Sequence, residues 1–157
     1  MKYLIFVCTL FICHGTTIAQ SLSEKNIQGV WEVEHVAINL EFENETQKER
    51  VNSVKEGFSG AQFFFSADHQ FTIELNPEAP STFDDEMFID IYDWKLTHEK
   101  KHILIGNNVM EIIVTQKDGI YYFDFQVGLI LRMKKIDDVA IISIADKIEK
   151  ITNKNEN

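Results

Sequence analysis

The stretch Asn26–Val36, NIQGVWEVEHV, decides how the rest of the chain is read. Trp31 and Val33 alternate with Glu32 and Glu34, the period-two pattern of a strand with one face buried. From Val36 the alternation resumes out of phase: Val36, Ile38, Leu40 and Phe42 interleave with Ala37, Asn39, Glu41 and Glu43. A one-residue slip would turn the apolar set to solvent unless the strand absorbs an extra residue. A bulge or bend is therefore expected near His35. The strand is expected to run from about Gly29 to Phe42, and long bent strands are what a closed barrel requires.

Upstream lies a different kind of segment. Met1-Lys2 supplies a basic start, Tyr3–Ile12 (YLIFVCTLFI) is an apolar run, and Thr17-Ile18-Ala19 ends on small residues. This is the pattern of a secretory signal, too short to span a bilayer, with cleavage expected after Ala19. Residues 20–157 would then be the mature chain, the size of one domain with one core. The alternative is lipidation at Cys13, although Ile12 stands where a lipobox wants a small residue. Cys8 and Cys13 are the only cysteines, so the chain beyond Ala19 has no disulfide to rely on and its stability must come from burial. Export to the periplasm, the medium or the outer surface is expected.

The whole chain has 15 basic and 25 acidic residues and a net charge of −10. A surface this acidic repels phosphate backbones and anionic membranes, which argues against nucleic-acid partners. It favours solubility and says little else.

Downstream of Phe42, the polar stretch NETQKERVNSVKEGF has Val51, Val54 and Phe58 at helical spacing. It reads as a helix over about Thr46–Glu56, with Asn44 or Thr46 as N-cap and Gly57 at its end. Strand patterns then return at Ala61–Phe65 and Gln70–Leu75 around the turn SADH. They recur at Phe88–Thr97 and His102–Ile105 around Glu99-Lys100-Lys101, and again at Val109–Gln116. Lys117-Asp118-Gly119 is the clearest hairpin signal, because Asp-Gly tolerates the positive φ angles of a type I′ turn. Ile120–Ile136 follows with Gly128 as its break. A tight turn at Val127-Gly128 gives eight strands, and one long bent strand gives seven. In the tail, Ile141, Ile144, Ala145, Ile148 and Ile151 lie at helical spacing behind Asp137 and Asp138, predicting a helix over Val139–Ile151. The expected fold is all-β: an up-and-down antiparallel barrel over residues 20–136, one helix after the first strand, and a C-terminal helix with a frayed end over 137–157. Closure removes vulnerable sheet edges, and about eight strands enclose room for one small ligand at most.

Gly29-Val30-Trp31 resembles the Gly-x-Trp signature that opens the first strand of lipocalins and the wider calycin group. FSADHQF at Phe65–Phe71, DWKLTHEKKHILI and LILRMKKI resemble, in the same order, segments of secreted bacterial lipocalin-like domains. The resemblance spans about Ile27–Ile136. It implies that Gly29 turns the chain into the barrel floor, that Trp31 plugs the floor, and that Arg132 from the last strand covers the indole as a cation on a π-face. It also implies a small hydrophobic ligand in the barrel interior. The family's later loop signature and paired cysteines are not found.

Tyr121, Phe123, Phe125 and Val127 share one face of a strand and are the candidate ligand-binding wall. Plain core packing is the competing reading for a chain with 12 phenylalanines. His98 and His102 flank a turn with Glu99, a weak zinc pattern without a dictated third ligand. Asp84, Asp85, Glu86, Asp90 and Asp93 concentrate oxygen atoms but lack the calcium-loop spacing and its glycine. His35 and His69 receive no role. No cysteine nucleophile survives cleavage, no Gly-x-Ser-x-Gly elbow occurs, and no phosphate-cradling glycine loop is present. The expected protein is thus not an enzyme and uses no metal or cofactor. It either binds a small hydrophobic molecule or has a filled barrel and acts through its surface or its C-terminal helix, self-association included.

Overall fold

The first strand of the computed structural model pairs with both its sequence neighbour and the last strand, and this closes the sheet. Residues 22–41, 44–78, 90–97, 101–107 and 109–136 are described. In chain order the elements are α1 (Glu24–Ile27), β1 (Gly29–Ile38), α2 (Glu45–Phe58), β2 (Gln62–Phe65), β3 (Gln70–Glu74), β4 (Tyr92–Thr97), β5 (His102–Ile105), β6 (Met110–Lys117), β7 (Ile120–Asp124) and β8 (Leu129–Ile136). All eight strands are antiparallel to their neighbours and follow one another around the barrel in sequence order.

The phase slip in β1 is a real irregularity. Its pairing with β8 shifts register between Val33 and His35, so Glu34 is the additional residue. The shift lets Trp31 and Val33 before it and Val36 after it all face the core. β1 ends at Ile38 rather than continuing to Phe42. The Asn39 amide donates to the Gly128 carbonyl at 2.8 Å, and Leu40 stands exposed beyond the sheet. Phe42 itself lies outside the described residues.

Turn chemistry sets the hairpins. Asp118 and Gly119 both have positive φ (54° and 81°), as do Gly106 and Asn107 (55° and 49°). At Asp118-Gly119, a two-residue loop between the paired Lys117 and Ile120, two successive positive φ values match the right-handed twist of the flanking strands. The run Ile120–Ile136 divides at Phe125–Gly128, where Gln126 and Gly128 have positive φ and the Phe125 amide donates to the Leu129 carbonyl at 3.0 Å. Eight strands result rather than seven.

α2 extends two residues past the expected Glu56. Asn44 caps it, its side-chain oxygen accepting from the Gln47 amide at 3.0 Å. α1 is a single turn that the residue pattern did not announce. The expected signal segment, the Asp84–Glu86 acids, His98 and the expected C-terminal helix lie outside the described residues.

The core is an aromatic-rich cluster inside the cylinder. Trp31, Phe63, Phe65, Phe71, Trp94 and Phe123 are all essentially inaccessible to water. Their rings form one network: Phe63 meets Phe71, Phe123 and Phe125, and Phe65 meets Phe71, Trp94 and Phe123, all at 4.8–6.2 Å between centroids. Each buried ring contributes about 1.5–3 kcal/mol of transfer free energy. In a chain with no cysteine between its described residues, that burial replaces a covalent staple.

Candidate functional site

An up-and-down barrel has two unlike ends. One carries the chain entry at α1 and β1, the exit after β8, and the β2–β3, β4–β5 and β6–β7 turns. The other carries the β1–β2 connection with α2 and the β3–β4, β5–β6 and β7–β8 connections.

The entry end is sealed. Trp31 is fully buried, and its Nε1 donates to the Ile27 carbonyl at 2.7 Å, tying the indole to the last residue of α1. Tyr121 meets it edge-on at 4.8 Å. A second indole, Trp94, lies at the same end. Its Nε1 donates to the Ser66 carbonyl at 3.2 Å, and the His69 ring packs against it at 5.2 Å. His69 also places Nδ1 3.2 Å from the Trp94 carbonyl, so this histidine has a structural part that its sequence context did not announce.

The cation over Trp31 is Lys135, not Arg132. Lys135 Nζ lies 5.6 Å from the ring centroid and donates to the Asn26 carbonyl at 3.0 Å. Arg132 points outward, where its Nε donates to Glu34 Oε2 at 3.1 Å. The reason is alternation: Leu129, Leu131 and Met133 face inward, which puts Lys135 on their face and Arg132 on the opposite one. Register completes the placement, since Lys135 is the direct partner of Trp31 across the β1–β8 ladder. Gly29, at φ +123°, brings its backbone close under the same lysine; an added Cβ would stand 3.0 Å from Lys135 Cε. Lys135→Ala is expected to lower stability by about 1 kcal/mol through the lost hydrogen bond and cation–π contact. Arg132→Ala, which breaks a surface ion pair, should cost less than about 0.5 kcal/mol. Paired urea unfolding curves would check the order, and an Arg132 effect larger than that of Lys135 would contradict this assignment.

The four candidate ligand-binding residues lie at different heights of the barrel. Tyr121 belongs to the floor beside Trp31. Phe123 is fully buried mid-barrel between Trp31, Phe63 and Phe65. Phe125 is half-buried at the α2 end against Phe58 and Phe63. Val127 is 69% exposed in the β7–β8 turn. Alternation along the strand is correct, but the strand runs the height of the barrel and ends after Asp124, so its residues sample floor, core and rim in turn.

The α2 end differs from the floor in kind. Phe58, at the end of α2, inserts its ring against Phe63 and Phe125 (6.1 and 6.2 Å) and is buried. On the elements of this end, Ile38, Val54, Leu75, Met110 and Phe125 pack on the core yet keep part of their surface in water. Beyond them, Leu40, Val109 and Val127 are exposed apolar side chains on connections of this end, while Ile120, at the β6–β7 turn, is the less exposed counterpart at the floor. The sequence places Phe58 only on a helix face. Its spacing from Val51 and Val54 was the available signal, but nothing local says which end of the barrel the helix crosses.

Polar chemistry is sparse. His102 Nδ1 contacts a carboxylate oxygen of Glu111, whose other oxygen accepts from Gln126 Nε2 at 3.0 Å. Among the described residues no group of three His, Cys, Asp or Glu side chains is arranged to hold a metal ion, and no helix is long and apolar enough to cross a membrane. Comparison with protein-family models, with curated proteins and with solved structures found no significant match, so the closed eight-stranded architecture, consistent with a lipocalin-like fold, stands on the geometry alone.

Proposed function

We propose that this is an exported, non-enzymatic binding protein of lipocalin-like build that takes a small apolar molecule at the α2 end of the barrel, above a packed interior. One observation carries the reading: the barrel's two ends are unlike. The floor is sealed by two indoles, a lysine and α1. The opposite end gathers half-buried and exposed apolar side chains, among them Ile38, Leu40, Leu75, Phe125 and Val127. Apolar surface left in water at one place is costly without a partner, and binding sites are its commonest explanation.

The ring network through Phe63, Phe65, Phe71 and Phe123 argues for a shallow seat rather than a deep one. The same network supports a second reading, in which the filled barrel is a scaffold and its outer surface does the work. An uncharged fluorescent probe distinguishes them, since an anionic dye would be repelled by a chain of charge −10. N-phenyl-1-naphthylamine is expected to show saturable, blue-shifted enhancement with the wild-type protein. Phe125→Asp should weaken that binding at least about ten-fold, a loss of about 1.4 kcal/mol. A flat titration of the wild type, or an unchanged one for Phe125→Asp, would move the assignment to the scaffold reading.

A further inference from the structure

The acidity of the chain is not spread evenly over the barrel. At the floor, among the described residues, lysines outnumber carboxylates, and Lys25, Lys101, Lys117, Lys134 and Lys135 all lie there. The α2 end is the reverse. α2 itself is electrically neutral, carrying as many basic residues (Lys48, Arg50, Lys55) as acidic ones (Glu45, Glu49, Glu56). The strand ends around it are acidic. In Glu74-Leu75, Met110-Glu111 and Asp124-Phe125 an apolar residue packed on the core has a carboxylate as its chain neighbour, and exposed Leu40 is followed by exposed Glu41. Alternation explains the pairing: successive side chains leave a strand on opposite faces, so the apolar member turns inward at the lip and the carboxylate stands on its outer side. The pairs come from β3, β6 and β7, and Glu41 follows β1, so the charge surrounds this end instead of sitting at one point. Among the described strand ends of this lip, none carries a lysine or arginine. Gln126 in the β7–β8 turn holds two of the carboxylates in place. Its side-chain amide donates to Glu111 Oε2 at 3.0 Å, and its backbone amide donates to Asp124 Oδ1 at 2.8 Å.

We propose that the molecule taken at this end is a cationic amphiphile, an apolar chain or ring bearing a protonated amine or a quaternary ammonium head. The inference rests on the binding reading above and adds a head group to it. The apolar body lies on Phe125 and its half-buried neighbours, while the head stays at the lip among Glu74, Glu111 and Asp124. No ion has to be stripped of water there, so the cost of a buried ion pair does not arise. The charges act through solvent, and a carboxylate about 10 Å from an ammonium favours it about two-fold at low salt. Several carboxylates around one lip multiply to a preference of about ten-fold or more. The same charges repel an anionic head, so a fatty acid is the wrong ligand for this end even though its chain would suit the apolar seat.

Three probes of equal chain length test the head group. Decylammonium, decanol and decanoate each compete with N-phenyl-1-naphthylamine for the wild-type protein at low ionic strength, below the concentrations at which they form micelles. Decylammonium is expected to displace the dye at a concentration at least about ten-fold lower than decanoate, with decanol between them, and added salt should shrink that spread. Glu74→Gln combined with Asp124→Asn should narrow the spread at least about four-fold. Glu24→Gln combined with Asp118→Asn makes the same change in net charge at the floor and should narrow it far less. Equal displacement by all three probes would overturn the head group while dye binding kept the apolar seat; a flat dye titration would overturn both. Equal narrowing by the two double variants would trace the preference to net charge and overturn its assignment to the lip. Dye binding that falls as protein concentration rises would give this end to a second copy of the chain, and the proposal would fail with it.

Discussion

Replacing Trp31 by alanine is expected to lower stability by about 3–5 kcal/mol, the range for deleting a fully buried large aromatic. Small domains have only about 5–15 kcal/mol to lose, so the variant should be marginal at room temperature. The indole does three things at once. It fills the floor against Tyr121 and Phe123 at 4.8 and 5.4 Å. It holds α1 through the 2.7 Å bond from Nε1 to the Ile27 carbonyl. It gives Lys135 a π-face. Trp31→Phe separates these contributions: it keeps much of the ring but removes the donor, leaving a buried carbonyl unpaired at a cost of about 1–3 kcal/mol. The expected order is wild type, then Trp31→Phe, then Trp31→Ala, with the alanine midpoint lower by roughly 2 M urea for an m value near 2 kcal/mol/M. A loss under about 1 kcal/mol for Trp31→Ala would mean that the floor is not where the barrel is closed.

The second large effect is expected at Phe123, and it bears on function as well as stability. Phe123 is inaccessible to water and meets Trp31, Phe63 and Phe65. Phe123→Ala should cost about 3–5 kcal/mol and leave a dry cavity at mid-barrel. Apolar engineered cavities of this size bind benzene or xenon. The wild-type interior should therefore take up neither at its centre, whereas Phe123→Ala should bind benzene and recover part of its lost thermal stability with it. Xenon or benzene bound beside Phe123 in the wild-type protein would show that the interior is hollow and would return the binding seat to the barrel's centre.

Much of this was legible in the residues, for reasons that are local. The β1 slip near His35 is visible because period-two alternation cannot change phase without an extra residue, and the ladder shifts between Val33 and His35. The Asp118-Gly119 turn is visible because so few residue pairs tolerate two positive φ values. The residues left seven or eight strands open at Gly128, and the structure decides for eight, with Gly128 at φ +80° close to Leu40 and the Asn39 carbonyl.

The candidate site was less legible. Tyr121, Phe123, Phe125 and Val127 do share a parity, but parity assigns a face and not a height. Depth in the barrel depends on where each strand begins relative to its neighbours, and that is a property of the whole ladder. Lys135 illustrates the same limit. In LILRMKKI apolar residues occupy both parities, so either Arg132 or Lys135 can be placed inward on pattern alone.

The chain's residues by themselves determined the strand succession, the turns, the bulge and the need for a closed, aromatic-rich core, because each of these rests on backbone preferences and alternation within a few neighbouring positions. Tertiary structure alone decided that Lys135 rather than Arg132 stands over the indole, that Phe58 reaches back over the end opposite the floor, and that rings from separate strands meet in one buried cluster. Those outcomes depend on the register between β1 and β8 and on the summed volume of side chains converging from eight strands, quantities that no short stretch of sequence contains.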